Sequence, residues 1–270
     1  MVNMGLEKGK DTFLLIMRAS LWDSQAAGEE YLNNIDTYSK VFRVTPNTTK
    51  KILESWPVPT LKTRETGISE YQIVPSATAD LEYLRNQIIK KYGNSNFKTV
   101  ELNTSIWIPE GYTGITQDID VLAEDRDTSY LRTDKFQLTT DEDFIIVYGI
   151  NHEKTQKAIY CNFSFYGAEL INGVAGSNSK MFENSAAEYF PKNYENSKFY
   201  YVYKISRHSQ KGEPGVILPY SSGNISGKAY GVDDNKDAFI AFRAYIDKET
   251  QVGPAHFELI WDRAILFTKK

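Results

Sequence analysis

His152-Glu153 opens a string like a zinc-protease motif, but position 156 is Gln. The i, i+4 histidine pair that would hold the metal is therefore missing, and a polar turn is the plainer reading. His152, His208 and His256 lie far apart in sequence, so a metal site built from them would need three unrelated loops to converge. GNISGKA (223–229) has three residues between its glycines where a phosphate loop has four, and Ala229 follows Lys228 where a hydroxyl would reach magnesium. There is no Gly-x-Ser-x-Gly elbow to expose a nucleophilic serine. Cys161, the one cysteine, cannot form an internal disulfide and sits in the alternating run AIYCNFSFYG, which reads as a buried thiol rather than a nucleophile. The sequence thus implies no cofactor and no metal.

The polar residues that remain lie on or beside strands. Arg243 stands between Ala241 and Tyr245, on the face away from an apolar set. Asp262-Arg263 falls in the strand expected to pair with it, and an Arg facing an Asp across antiparallel strands is most often a structural pair. Arg207 and His208 end another strand, and Asp125, Arg126, Asp127 and Tyr130 precede the central one. The candidate binding residues are therefore Arg243, Asp262, Arg207, His208, Tyr130 and Tyr245. The chemistry they offer is contact through aromatic rings and guanidinium groups.

The elements that must position them are mostly strands. The chain has 270 residues, 41% hydrophobic and 24% charged, with 18 Tyr and 14 Phe, as expected of a globular, strand-rich protein. A net charge of −4 without a basic cluster argues against a nucleic-acid surface. No apolar run reaches membrane-spanning length. Leu81, Leu84, Ile88 and Tyr92 recur at helical spacing, predicting a helix over 78–92 that ends at Gly93 and lies on a surface. FIIVYGINH and AIYCNFSFYG, separated by the turn HEKTQK, read as a hairpin. FYYVYKISRH alternates, with Phe199, Tyr201, Tyr203 and Ile205 on one face and Lys204, Ser206 and His208 on the other. The fold class expected is mainly β: an antiparallel sandwich or jelly-roll-like domain over 78–270 with one or two short helices. A linker (51–77) and a strand-turn-strand segment (1–50) precede it.

That first segment echoes the last. TFLLIMRASLWD from Thr12 aligns with DAFIAFRAYIDK from Asp237 at a constant offset of 225, placing Arg18 on Arg243 and Phe42 on Phe267. Phe13, Leu15, Met17, Ala19 and Leu21 share a face, as do Ala238, Ile240, Phe242, Ala244 and Ile246. Residues 12–44 then read as the remnant of a repeated module, with self-association as one way to cover its apolar face. The start, MVNMGLEKGK, lacks the apolar stretch of an export signal, so the chain as it stands reads as cytosolic. The echo suggests a lost first module, and any export signal with it.

DRDTSYLRT (125–133), DFIIVYGINHEKTQKAIYCNFSFYG (143–167), YFP (189–191) before FYYVYKISR, and AFRAYIDKETQVGPA (241–255) resemble a set of uncharacterised bacterial and archaeal proteins made of two related β-rich modules. The resemblance covers about residues 78–270. It implies fold and modularity, and it hands over no catalytic residue.

Two classes of function follow. One is a non-catalytic binding or structural module that contacts carbohydrate or protein through a Tyr/Arg-rich sheet face. The other is a hydrolase-like enzyme using Asp262 or Asp127 beside Arg243 or His208, which requires those groups within hydrogen-bond reach of one another.

Overall fold

A computed structural model describes residues 24–42, 62–108, 117, 125–208, 212–221, 224–225, 228–229 and 231–270. The chain divides into two compact units, Met1–Leu61 and Lys62–Lys270.

In the first unit, helix α1 spans Gln25–Asn33 and α2 spans Ile35–Tyr38. Ser24 caps α1, its Oγ accepting from Ala27 N–H at 3.2 Å. This corrects the strand-turn-strand expectation. The turn SQAAGEE and the residues after it are helical, because an N-cap serine followed by Ala, Glu and Leu outweighs the weak apolar echo. The apolar residues 13–21 and Arg18 lie outside the described residues, as does most of the segment proposed to self-associate.

The second unit begins with α3 (Glu70–Ile73) and α4 (Ala77–Tyr92). Its strands are β1 (Phe97–Leu102), β2 (Thr104–Ile106), β3 (Thr128–Thr133), β4 (Phe144–Ile150), β5 (Tyr160–Gly167), β6 (Asn172–Asn178), β7 (Tyr200–Ser206), β8 (Gly215–Ile217), β9 (Asn224–Ile225), β10 (Lys228–Ala229), β11 (Ala238–Tyr245) and β12 (Arg263–Lys269). They form two five-stranded sheets, in the orders β1-β12-β4-β7-β8 and β2-β3-β11-β5-β6, with β9 and β10 as a separate ladder. Every pairing is antiparallel except β7 with β8. The protein is a β-sandwich, as the strand-rich pattern predicts.

The chain weaves between the sheets rather than folding back within one. β4 belongs to the first sheet and β5 to the second, so 143–167 is not a hairpin. β11 and β12 are likewise in different sheets, so Arg243 and Asp262 do not face each other across a strand pair. A turn rich in polar residues serves a hairpin and a crossover equally, which is why the local pattern misleads at both places.

The core follows from alternation. Between the sheets, Ile145, Val147, Tyr201, Tyr203 and Leu266 meet Phe163, Phe165, Ile240 and Phe242. On the other side of the first sheet, α4 lays Leu81, Leu84 and Ile88 onto Phe144, Ile146, Val202, Ile265 and Phe267. β4 is thus buried on both faces, which explains its unbroken apolar sequence. The helix falls where its periodicity predicts. β7 is buried on both faces too, with even Lys204 enclosed, its Nζ 3.4 Å from Glu213.

Candidate functional site

The second sheet presents its outer face through the residues that alternate with the core set. In β11, Ala238, Ile240 and Phe242 point inward; Phe239, Ala241, Arg243 and Tyr245 therefore point outward. Register carries their partners to the same side. Arg243 lies opposite Tyr130 on β3 and Asn162 on β5, Ala241 opposite Arg132 and Ser164, Tyr245 opposite Tyr160, and Phe239 opposite Tyr166.

Arg243 is the centre of this face and is half-buried. Its guanidinium sits 5.3 Å from the ring centres of both Tyr130 and Tyr166. It donates to the Tyr166 hydroxyl and, at longer range, to Ser164 Oγ (3.4 Å) and Asn162 Oδ1 (3.5 Å). Its Nε is buried without a hydrogen-bond partner. Trp107 sets its ring edge-on against Tyr130, Tyr166 and Phe239, at 6.0, 5.6 and 5.0 Å between centres. Phe239 in turn carries the guanidinium of Arg132 at 5.7 Å. Among the described residues no carboxylate pairs with Arg243 or Arg132.

Three of the six residues singled out from sequence, Arg243, Tyr130 and Tyr245, thus share one surface. The other three are elsewhere. Arg207 is buried, pairs with Asp234 at 3.0 Å, donates to the carbonyls of Leu218 and Pro219, and stacks 3.8 Å from the Tyr220 ring centre. His208 is exposed, 3.4 Å from Asp141. Asp262 is buried, and both its oxygens are engaged: Oδ1 accepts from the Tyr201 hydroxyl (2.6 Å) and Oδ2 lies 3.4 Å from His152 Nε2. The hydrolase pairing of Asp262 with Arg243 or His208 is absent from these contacts.

The Asp262 neighbourhood is a buried polar network that sequence reasoning missed. His152 is not in an open turn: its Nδ1 lies 2.7 Å from Glu70 Oε1. Glu70, fully buried, also accepts from Thr155 Oγ1–H and from Ile260 N–H, each at 2.6 Å. Burial alone would lower the His152 pKa, but the charge of Glu70 and the bonds to Asp262 and Glu70 outweigh it and hold it well above the usual histidine value. Burial, reinforced by Asp262, pushes the Tyr201 hydroxyl well above the usual tyrosine range. Gly149 permits the close approach: a Cβ there would come 2.7 Å from Asp262 Oδ1. A second buried knot joins Lys157 to Glu258 (2.6 Å) and Asp247 (3.2 Å), with Glu258 also accepting from Thr66 N–H (2.9 Å) and Gly67 N–H (2.6 Å). Both knots tie residues 66–70 to the β11–β12 connection. Their charges are satisfied internally, the mark of structure rather than of a reacting group.

A groove of ≈ 510 Å³ opens beside Asp262, lined in part by Tyr71, Glu101, Tyr148, Trp261 and Arg263. Its Glu101 is already committed to Arg85, whose Nε donates at 2.8 Å and whose hydrogen bonds, with its charge, pull the carboxyl below its usual range. Among the described residues no cluster of three His, Cys, Asp or Glu side chains is arranged to hold a metal ion. No helix there is long and apolar enough to cross a membrane. No family model, curated protein or solved structure matches this chain.

Proposed function

We propose that the Lys62–Lys270 unit is a non-catalytic binding module that takes a glycan on the outer face of its second sheet. The observation that carries this reading is the Arg243 cluster: a guanidinium held between two tyrosine rings, with Trp107 and hydroxyl, amide and phenol groups around it. Aromatic rings pack against the apolar faces of sugars, while phenols, Asn162 and Ser164 offer hydrogen bonds to hydroxyls. The strands that build the face are the central ones of the sheet, so the side chains are fixed by pairing on both edges. The strand order, with the chain passing repeatedly from one sheet to the other, supports the jelly-roll form of sandwich, which lectin domains use.

The test is titration of the full chain with a panel of oligosaccharides, repeated on Tyr166→Ala and Tyr245→Ala. Each variant is expected to keep the wild-type circular dichroism spectrum and to bind about tenfold or more weakly, a loss of about 1.4 kcal/mol. Unchanged binding by two folded variants would remove the face from the argument.

A further inference from the structure

Among the described residues of the second unit, each lysine or arginine that is fully buried has a carboxylate beside it. Lys157 has Glu258 and Asp247, Lys204 has Glu213, Arg207 has Asp234, and Arg64 has Asp125 at 3.8 Å. Arg243 and Arg132 are less buried than these four. Both are half-buried on one sheet face, and neither is in an ion pair. Across the three central strands β3, β11 and β5, the outward positions hold these two arginines and no Asp or Glu. The chain as a whole is acidic, with 35 Asp and Glu against 31 Lys and Arg, so a face without carboxylates is not a matter of composition.

Enclosing a guanidinium without a counter-charge costs free energy, and the tyrosine rings recover only part of it. We infer that the glycan taken by this face is acidic, and that Arg243 and Arg132 receive its carboxylates or sulfates. The inference rests on the glycan reading above. Because Arg132 faces Ala241 and Arg243 faces Tyr130, the two arginines are diagonal neighbours, about 7–8 Å apart at Cα. That spacing lets one ligand chain engage both. Guanidinium is the group suited to paired hydrogen bonds with a planar carboxylate or a sulfate. Nucleic acid is the poorer fit: phosphate-backbone binding draws on many cations along a track, and here two stand in a negatively charged protein.

The experiment compares polygalacturonate with its fully methyl-esterified form, which has the same rings without the charge, and adds heparin and a single-stranded oligodeoxynucleotide. The full chain is used throughout. Binding of polygalacturonate or heparin is expected, and which of the two binds more tightly names the anion. The ester should bind about tenfold or more weakly, and added salt should weaken only the charged ligands. Arg243→Gln and Arg132→Gln should each lose about tenfold, Arg243→Lys should retain part of the binding, and the exposed Lys192→Gln should change nothing. Should Arg243→Gln fail to fold, Arg132→Gln and Arg243→Lys carry the test. Equal affinity for the ester, or folded arginine variants with unchanged affinity, would overturn the acidic-ligand inference and leave a glycan-binding face standing. Failure to bind any member of the panel would overturn both. Tighter binding of the oligodeoxynucleotide, lost in the same variants, would replace the glycan with nucleic acid.

Discussion

Among single residues, His152 carries the most structural weight. It stands between Glu70 and Asp262 in the interior, so removing it leaves two buried carboxylates facing one another without a cation. His152→Ala is expected to cost about 3–5 kcal/mol, read from urea unfolding. The pH dependence has a definite sign. A histidine whose folded pKa is raised above its unfolded value near 6.5 contributes stability fully below about that pH and loses it as pH rises through the folded value. Wild type should therefore lose stability relative to His152→Gln in the alkaline range, and parallel stability profiles for the two proteins would show that the imidazole is neutral when folded. Asp143 gives the opposite slope. Burial would raise its pKa, but the N–H groups of Lys269 and Thr139 and the hydroxyls of Thr139 and Thr140 hold it down, so its contribution is present above the unfolded carboxyl pKa and disappears as pH falls through the folded one. Cys161 is the inert residue. It is buried on the inter-sheet side, and burial pushes its thiol up to about 12. A thiol reagent should label native protein no faster than the protein opens, and rapid labelling would mean that the parity of β5 is inverted.

At the level of elements, α4 shows what periodicity can deliver. Leu81, Leu84, Ile88 and Tyr92 announce a face, and that face covers the first sheet. Leu84 is wholly enclosed, so Leu84→Ala should cost about 2–5 kcal/mol, with a shifted denaturation midpoint and an unchanged slope. The inward and outward parities of β5 and β11 were equally legible, because a strand with one half-exposed face must alternate; this is how Arg243 and Tyr245 could be found from sequence, whereas Tyr130 stood out only as a residue shortly before the central strand. The partners of each strand were not legible. HEKTQK between two apolar runs looks the same whether the chain returns within a sheet or crosses to the other. That ambiguity produced both the false hairpin and the false pairing of Arg243 with Asp262. Glu70 was invisible for a related reason: a glutamate in a polar stretch carries no local sign that it will accept from Ile260, 190 positions away. Trp107 and Tyr166 became part of the candidate site only through register. The arginines' lack of carboxylate partners is likewise a property of the assembled face.

At the level of the whole molecule, the sandwich is held by distant pairings. β12, the last strand, lies between β1 and β4, and among the described residues β1 has no other strand partner in its sheet. Its Ala264 and Leu266 enter the inter-sheet core, while Ile265 and Phe267 enter the core beneath α4. One strand thus closes both cores, and it also ties Asp143 through the Lys269 N–H at 2.7 Å. Its removal would expose an edge on β4, a strand buried on both faces, together with the apolar side of α4. A chain ending at Asp262 is therefore expected to lose cooperative folding rather than to lose a few kcal/mol. The measurement is thermal unfolding followed by near-ultraviolet circular dichroism, which reports fixed aromatic packing. The truncated chain should show no sharp transition and should bind a dye for exposed apolar surface. A soluble, cooperatively melting product would mean that the inter-sheet core and the α4 core fold independently. β12 would then be an addition to a sandwich already complete.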